Sequence, residues 1–263
     1  MPMPFFSIIT VAFRAENTIA DTIKSALKQD FLDFEIIVKD GLSDDKTLER
    51  IPSDSKVKVY SQKDSGIYDA MNQGTELASG EYVIYMNCGD VFASNTVLSE
   101  VYAAIKDTKP AMAYGNYVRD GIAHKQPSIL SAFYLYRTPL CHQTIFFRRY
   151  DLMDTGLYNT GYRVLGDYDA ELRLFFVGKK SEYINIVICS YLGGGVSESK
   201  TGIEKKREER KEILNKYYSS KVQRKYAMRL ALSLPHLRQW LAGSKSPQWV
   251  TKLYLRMVNV VNR

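Results

Sequence analysis

The alternation of strand and helix signals in the first third of the chain limits the fold more than any other feature of this sequence. Runs rich in β-branched and aromatic residues predict buried strands, and apolar residues at helical spacing predict the helices between them. The predicted elements in chain order are strand 5–13, helix 18–29, strand 34–40, strand 56–61, helix 67–78 and strand 81–86. Strands and helices in this rhythm predict a parallel sheet covered by helices on both faces.

The second half of the chain is less regular. Its predicted elements are a hairpin turning at 119–121, a strand at 144–149, a helix at 167–177, a strand at 181–192 and a charged helix at 202–218. A chain of 263 residues is long enough for one large domain with an appendage. The sequence therefore predicts an α/β domain over residues 1–215, followed by a basic helical tail over 216–263.

The positive charge of the chain is concentrated in that tail. The tail carries ten basic residues and no Asp or Glu: Lys216, Lys221, Arg224, Lys225, Arg229, Arg238, Lys245, Lys252, Arg256 and Arg263. With 36 basic and 29 acidic residues in the whole chain, residues 1–215 hold 36 − 10 = 26 basic and 29 acidic side chains, a net charge of −3. Any partner that recognises positive charge should therefore bind the tail.

Cysteine content and the N-terminal sequence indicate the compartment. The three cysteines, Cys88, Cys141 and Cys189, are odd in number and lack CxxC spacing, which favours a reducing compartment and no cysteine-bound metal. The opening MPMPFFSIITVAF has no basic n-region and is too short to span a bilayer, so it is interpreted as a first strand. We expect a cytoplasmic protein.

Polar residues follow three of the predicted strands at the point where each ends. They lie in VKDGLSDDKT, which contains Asp40, in KDSGIYDAMNQG, which contains Asp64, and in YMNCGD, which contains Asp90. Ligands of open parallel α/β sheets bind outside the carboxyl ends of the strands, where carboxylates can accept hydrogen bonds from a nucleoside or hold a hard cation. Ordinary turns and helix caps are the alternative explanation for each stretch.

Six motifs in this order resemble the family 2 inverting glycosyltransferases of the GT-A fold, especially small bacterial enzymes that build lipopolysaccharide, capsule or exopolysaccharide. The motifs are SIITVAFRAENTIADTIKSALKQDFLDFEIIVKDGLSDDKT, KDSGIYDAMNQG, YMNCGD, PLCHQTIFF, VLGDYDAELRL and GGGVS. The likeness extends over about residues 5–215, and the joint occurrence of the six motifs is more specific than any single motif. The resemblance implies a Rossmann-like, mostly parallel sheet flanked by helices.

The resemblance also implies a nucleotide-binding site. It assigns contacts with the nucleoside to Thr10, Ala12 and Asp40, with Asp40 facing the base. It places Asp64 near the ribose or the diphosphate of the sugar donor. A UDP-sugar is the expected donor, and guanosine or thymidine diphosphate sugars are the runners-up.

The metal-binding motif of the family is altered in this chain. Asp90 corresponds to the surviving metal-ligating acid, while Asn87 and Gly89 stand where many relatives have acids. Asn87 is expected to contact the bound nucleotide. We expect a divalent cation, Mn²⁺ or Mg²⁺, to bind weakly until the nucleotide supplies phosphate oxygens.

The motif VLGDYDAELRL supplies the expected catalytic base, Asp167, which would accept the proton of the attacking hydroxyl. Its neighbour Gly166 replaces an acid common in relatives. Asp169 points elsewhere on a helix, where Arg173 at i+4 is positioned to pair with it. The family pattern assigns His142 a substrate or diphosphate contact without a proton-transfer role, against a structural role as the alternative. The Gly193–Gly195 segment is either a loop that closes over the diphosphate or a plain hinge.

These expectations describe an enzyme that transfers a sugar from a nucleotide diphosphate to a hydroxyl of a glycan, which is expected to be carried on a membrane lipid. Two alternatives stay open from the sequence: a sugar nucleotidyltransferase, and a non-catalytic nucleotide- or nucleic-acid-binding protein. The stretch after the first strand, AFRAENT, lacks the glycine-rich phosphate loop expected of the former. No zinc-finger spacing or RNA-recognition signature supports nucleic-acid binding.

The tail composition predicts contact with an anionic membrane surface. The stretches at 226–243 and 249–261 mix Leu, Val, Met, Trp and Tyr with spaced Arg and Lys, which is typical of helices that lie in the membrane interface. Neither stretch is long and charge-free enough to span a bilayer. The alternative is that the apolar positions pack against the catalytic domain.

Overall fold

A computed structural model describes residues 3–191 and 200–232. The strands are β1 (Phe6–Ala12), β2 (Phe34–Asp40), β3 (Val57–Ser61), β4 (Tyr82–Tyr85), β5 (Val91–Phe92), β6 (Met112–Arg119), β7 (Ile122–His124), β8 (Ile145–Arg148) and β9 (Ser181–Tyr191). The α-helices are α1 (Ile19–Leu27), α2 (Ile67–Leu77), α3 (Val97–Ile105), α4 (Ala132–Arg137), α5 (Arg149–Asp154), α6 (Gly166–Phe176), α7 (Lys200–Tyr217) and α8 (Ser220–Leu232). Two 3₁₀ turns lie at Leu48–Arg50 and His142–Thr144.

The described strands form one sheet in the order β3-β2-β1-β4-β8-β6-β9-β5, with β7 paired to β6. The four strands from the first third of the chain pair in parallel. Strand β8 pairs antiparallel with both β4 and β6, so the direction changes in the middle of the sheet. The prediction of a mostly parallel α/β sheet flanked by helices is confirmed.

The register of the parallel strands aligns their carboxyl ends. Ala12 at the end of β1 lies opposite Asp40 at the end of β2, and Asp40 lies opposite Ser61 at the end of β3. On the other side of β1, Ile9 lies opposite Tyr85, the last residue of β4. The polar residues that follow these strands therefore share one edge of the sheet.

The core consists of apolar side chains from the central strands and the helices that cover them. Ile8, Ile36 and Ile84 are fully buried on three neighbouring strands, and Ile23 of α1 and Leu98 of α3 are fully buried in the same cluster. Each fully buried side chain of this size contributes about 1.5–3 kcal/mol relative to an exposed one. This rigid core holds the loops at the edge of the sheet.

The hairpin predicted at 119–121 joins β6 and β7. Asp120 and Gly121 have φ angles of 49° and 77°, the pair of positive values that a two-residue type I′ turn requires. Asn, Asp and Gly adopt this conformation most readily, which explains the signal of the Asp-Gly pair in the sequence. The predicted hairpin is confirmed.

The chain divides into two compact units, Met1–Glu209 and Arg210–Arg263. The charged helix predicted at 202–218 is confirmed as α7. The predicted loop at 193–195 and residues 233–263, which contain most of the proposed membrane-binding tail, lie outside the described residues. Among the helices that the structure describes, none has the length and apolar character needed to cross a membrane.

Candidate functional site

The loop after β4 presents Asp90 from a tight turn. Gly89 has a φ of 101°, and its N–H donates to Oγ1 of Thr22 at 3.0 Å. The N–H of Asp90 donates to the Asn87 carbonyl at 2.9 Å, which closes the turn. The Asp90 side chain contacts the Gln143 amide only at 3.5 Å. Burial raises the pKa of Asp90 to about 6, and His142, Gln143 and Asn87 oppose that rise only in part.

Asn87 adds a second oxygen beside Asp90. Its Oδ1 is buried and has no hydrogen-bond partner among the described residues, while its Nδ2 lies 3.4 Å from Nε2 of His142. A carboxylate and an amide oxygen are hard ligands of the kind that Mn²⁺ and Mg²⁺ prefer. Within residues 3–191 and 200–232, no group of three or more His, Cys, Asp or Glu residues could hold a metal ion. The residues present therefore fit a cation that takes most of its ligands from a bound nucleotide.

Asp167 lies in the first turn of α6, and its two carboxylate oxygens have different surroundings. Oδ1 accepts hydrogen bonds from the Tyr68 hydroxyl at 3.0 Å and from the N–H of Tyr168 at 2.9 Å. Oδ2 lies 3.5 Å from Nδ1 of His142. His142 thus lies between Asn87 and Asp167, so its ring connects the turn after β4 with the start of α6.

Asp40 is fully buried at the end of β2, where three protein groups donate to its carboxylate. Oδ1 accepts from the Ser43 hydroxyl at 2.5 Å, and Oδ2 accepts from the Ser43 N–H at 3.1 Å and the Ser61 hydroxyl at 2.6 Å. Asp40 therefore orders the loop after β2 and ties it to β3. Its contact with a base stays a prediction.

Asp64 is held by a lysine that is itself fully buried. The Lys39 ammonium donates to the carbonyls of Asp40 at 3.0 Å and Gln62 at 2.6 Å and to Oδ2 of Asp64 at 3.0 Å. These three bonds use all three donors of the ammonium. Gly41 leaves room for this arrangement, because a Cβ at that position would lie 2.8 Å from Oδ2 of Asp64.

Thr10 and Ala12 are buried in β1, next to these carboxylates. The Thr10 hydroxyl donates to the Met86 carbonyl at 2.8 Å, across from β1 to the end of β4. The Ala12 carbonyl accepts from the Gly41 N–H at 2.9 Å. Both contacts fix the positions of the strand ends, and the predicted nucleoside contacts of the two residues stay predictions.

A cleft of about 1130 Å³ brings four of the predicted site residues together, namely Asn87, Asp90, His142 and Asp167. Its wall also includes four cations and four tyrosines: Arg119, Lys125, Arg163, Lys206, Tyr68, Tyr117, Tyr134 and Tyr191. Thr10, Ala12, Asp40 and Asp64 are not part of this wall and lie at the ends of β1–β3 and in the loop that follows. The site therefore has two parts along one edge of the sheet.

The predicted pair of Asp169 and Arg173 on α6 is confirmed. The guanidinium contacts Oδ2 of the fully buried Asp169 at 3.2 Å. Asp169 thus belongs to the packing of the helix, while Asp167, two residues earlier, faces the cleft.

Sequence reasoning missed several residues that shape the site: Lys39, Tyr68, Gln143, Glu171 and Glu209. Lys39 had a detectable signal, since a lysine inside the apolar run FEIIVKD is unusual. Glu209 had none, because it lies among many charged residues of α7. Its carboxylate accepts from three consecutive N–H groups before α6, those of Arg163 at 2.7 Å, Val164 at 3.0 Å and Leu165 at 2.9 Å.

Glu171 is a fully buried carboxyl group one turn beyond Asp167. Its Oε2 accepts from the N–H of Leu140 at 2.9 Å, and its Oε1 has no hydrogen-bond partner among the described residues. Burial first, and the Asp167 carboxylate second, raise the pKa of Glu171 well above its usual range. The raised pKa favours the neutral form of Glu171, which contacts the segment that carries His142 through Leu140.

Comparisons with known proteins agree with this geometry. The family model described as Glycosyl transferase family 2 matches residues 7–168. A PGL/p-HBAD biosynthesis glycosyltransferase of Mycobacterium bovis is 30% identical over 208 residues, which cover 76% of this chain and 81% of that protein. The Escherichia coli UDP-Glc:alpha-D-GlcNAc-diphosphoundecaprenol beta-1,3-glucosyltransferase WfaP is 26% identical over 212 residues, which cover 75% of this chain and 82% of that protein.

Solved structures share the fold. Staphylococcus aureus TarS 1–349 in complex with UDP-GlcNAc aligns with a TM-score of 0.66 at 18% identity, over 96% of this chain and 81% of that chain. The mannosyltransferase PcManGT of Pyrobaculum calidifontis, in complex with GDP-Man and Mn²⁺, aligns with a TM-score of 0.59 at 14% identity, over 97% of this chain and 69% of that chain. These likenesses confirm the predicted GT-A fold. The chain belongs to glycosyl transferase family 2 and is a glycosyltransferase.

Proposed function

We propose that this glycosyltransferase transfers a sugar, with inversion, from a UDP-sugar to a hydroxyl of a lipid-linked glycan in bacterial surface polysaccharide synthesis. One observation carries the proposal: Asp90 and Asp167 face the same cleft and are joined through Asn87 and His142. Direct displacement needs a group for the leaving diphosphate and a base for the attacking hydroxyl, and two separate carboxylates meet this need.

Asp167 is the proposed base. Its Oδ1 is held by Tyr68 and Tyr168, so Oδ2 is the oxygen that takes the proton of the acceptor hydroxyl. As that hydroxyl oxygen bonds to the anomeric carbon, the bond from this carbon to the diphosphate oxygen breaks. The nucleoside diphosphate leaves with the bonding electron pair, and the sugar inverts because attack and departure occur on opposite faces.

Asp90 and Asn87 are the residues that would hold a divalent cation together with the donor phosphates. When bound, such a cation would neutralise charge on the leaving diphosphate. Burial already raises the pKa of Asp90 to about 6, so the isolated carboxylate is costly to ionise. A cation and a donor that arrive together would offset this cost, which supports Mn²⁺ or Mg²⁺ as the cofactor.

Asp40 and Asp64 mark the proposed nucleoside end of the site. Asp64 is oriented by the buried Lys39 and lies against Gly41, at the end of β2. A uridine diphosphate donor is supported by the TarS complexes with UDP-GlcNAc and UDP, which share this fold. The GDP-Man complex of PcManGT makes a guanosine diphosphate sugar the alternative donor.

The proposed acceptor is a glycan on a lipid diphosphate. Lys125, Arg163 and Lys206 line the cleft and provide positive charge for phosphate, while Tyr134 provides an aromatic ring for a sugar. The Escherichia coli relatives WfgD and WfaP are both named for glucosyl transfer to alpha-D-GlcNAc-diphosphoundecaprenol. We propose that residues 216–263 hold the enzyme on the inner face of the membrane, where such an acceptor would be presented.

The proposal is tested by separating donor binding from turnover. Asp90→Ala should weaken metal-dependent UDP-sugar binding in calorimetry, whereas Asp167→Asn should leave donor binding intact and lower turnover by about 10²- to 10⁴-fold. Glu76→Gln, which changes an exposed carboxylate on α2, is the matched control. Equal loss of donor affinity in the two site variants would refute the division of roles.

Membrane docking is tested by sedimentation of the full chain with vesicles. The protein should sediment with anionic liposomes at low salt, and binding should weaken as salt rises, since each basic residue contributes about 1 kcal/mol near such a surface. A truncation after residue 215 should keep nucleotide binding and lose sedimentation. A truncated protein that unfolds, or a full chain that ignores anionic vesicles, would make the tail structural instead.

A further inference from the structure

Tyr68 reaches the proposed base from another part of the chain. It lies on α2, in the motif KDSGIYDAMNQG, and its buried hydroxyl donates to Oδ1 of Asp167 at 3.0 Å. The two residues are 99 positions apart in sequence, so this contact exists only in the folded domain. Burial, and next the Asp167 carboxylate, raise the pKa of Tyr68 well above its usual range, so the phenol remains a hydrogen-bond donor.

Gly166 allows this contact. A Cβ at position 166 would lie 2.8 Å from both Cδ2 and Cε2 of the Tyr68 ring, closer than real Cβ contacts come. The ring therefore lies flush against the first residue of α6, directly before Asp167. This explains why a glycine stands at the position where the family resemblance leads us to expect an acid.

We propose that Tyr68 is a positioning residue that fixes the side-chain conformation of Asp167 and leaves Oδ2 for the acceptor hydroxyl, with Gly166 providing the space for its ring. The inference rests on the proposed role of Asp167 as the base. The N–H of Tyr168 donates to the same Oδ1 at 2.9 Å, so the two hydrogen bonds together hold one oxygen and select the other for proton transfer.

Side chains from two other parts of the chain contact the Asp167 carboxylate among the described residues. Tyr68 on α2 donates to Oδ1, and Nδ1 of His142, in the 3₁₀ turn, lies 3.5 Å from Oδ2. Tyr68 is therefore the side chain that holds the oxygen turned away from the proposed acceptor.

Tyr68→Phe removes the hydroxyl and keeps the ring. We expect kcat to fall by about tenfold, the fold-change that corresponds to losing one hydrogen bond to a charged group. Donor affinity should stay unchanged, because the lost hydrogen bond acts only on the base. Gly166→Ala should produce the same fall in kcat at unchanged donor affinity, because its Cβ displaces the ring while Tyr68 is still present.

Tyr82→Phe is the matched control, since it removes another buried tyrosine hydroxyl, which donates to the Pro110 carbonyl at 2.8 Å. It should leave kcat and donor affinity unchanged. A Tyr68→Phe enzyme that keeps full kcat overturns the inference, and so does one that loses donor affinity in proportion to turnover. If Tyr68→Phe does not fold, the kcat and donor affinity of Gly166→Ala decide alone. If Asp167→Asn retains full turnover, the proposed function fails first and separately.

Discussion

Asp90 offers a direct test of the site electrostatics, because its ionisation is opposed by burial. The pKa of this side chain rises from its ordinary value of 3.8 to about 6 in the folded protein. Between these two values the folded state binds more protons than the unfolded state, so stability falls as pH rises through this window. The loss of stability is complete above about pH 7 and amounts to about 3 kcal/mol, because each unit of pKa difference corresponds to about 1.4 kcal/mol.

Asp90→Asn removes this loss while keeping the shape of the side chain. In metal-free buffer with a chelator, we expect the variant to be more stable than the parent by about 2 kcal/mol at pH 5 and by about 3 kcal/mol at pH 7.5. Urea unfolding followed by far-UV circular dichroism at the two pH values measures this difference. Glu76→Gln should show no such growth of the difference with pH.

A stability difference between Asp90→Asn and the parent that is flat with pH, or that shrinks as pH rises, would refute the reasoning. Addition of Mn²⁺ with a UDP-sugar extends the test. A ligand at 100 times its Kd stabilises the native state by about 2.7 kcal/mol, and only the parent should gain this stabilisation. The advantage of the variant at pH 7.5 should therefore nearly disappear when both ligands are present.

Three further predictions follow from the buried charges around the site. Glu171→Gln should raise the free energy of unfolding at pH 8 and flatten its dependence on pH above about 4.5, because a raised folded pKa means that stability is lost as pH rises. A difference in unfolding free energy between variant and parent that is the same at every pH would contradict this. Lys39→Met should lower the free energy of unfolding by about 3 kcal/mol and weaken UDP binding about tenfold, because Asp64 loses its buried partner. Unchanged calorimetric affinity would contradict the proposed contact of Asp64 with the nucleotide. Glu209→Gln should lower kcat about tenfold with little change in donor affinity, because the loop before Asp167 loses a charged acceptor for three N–H groups. The control Glu208→Gln, on the exposed face of α7, should leave kcat unchanged.

The residues that follow the parallel strands were predictable because local pattern determines where those strands end. Buried parallel strands predict their own ends, and parallel register brings those ends to one edge of the sheet. Asp40, Asp64 and Asp90 therefore came from strand assignment together with motif order. The sequence did not reveal that Asp40 accepts hydrogen bonds from Ser43 and Ser61, since those bonds depend on loop conformation rather than on periodicity.

The rest of the site depends on contacts between segments that are distant in sequence. His142 reaches the gap between Asn87 and Asp167 because β8 inserts antiparallel beside β4, and nothing in the local pattern of PLCHQTIFF specifies that pairing. Gly166 was recognised as a departure from the family, yet its cause is the ring of Tyr68 on another helix. Glu209 of α7, which accepts hydrogen bonds from the loop before Asp167, could not be recognised from the sequence either, because it lies in a run of charged residues.

The altered metal motif has a physical consequence for the order of binding. Gly89 has a φ of 101°, a conformation that side-chain-bearing residues rarely adopt, so an acid restored at this position would strain the turn rather than simply add a ligand. Asn87 keeps an oxygen but no charge, and burial opposes the ionisation of Asp90. A cation alone therefore gains little from this site, and a nucleotide diphosphate alone meets a buried carboxylate that carries its own negative charge. The two ligands should bind as a unit, so that titration with Mn²⁺ yields measurable heat only when the UDP-sugar is present.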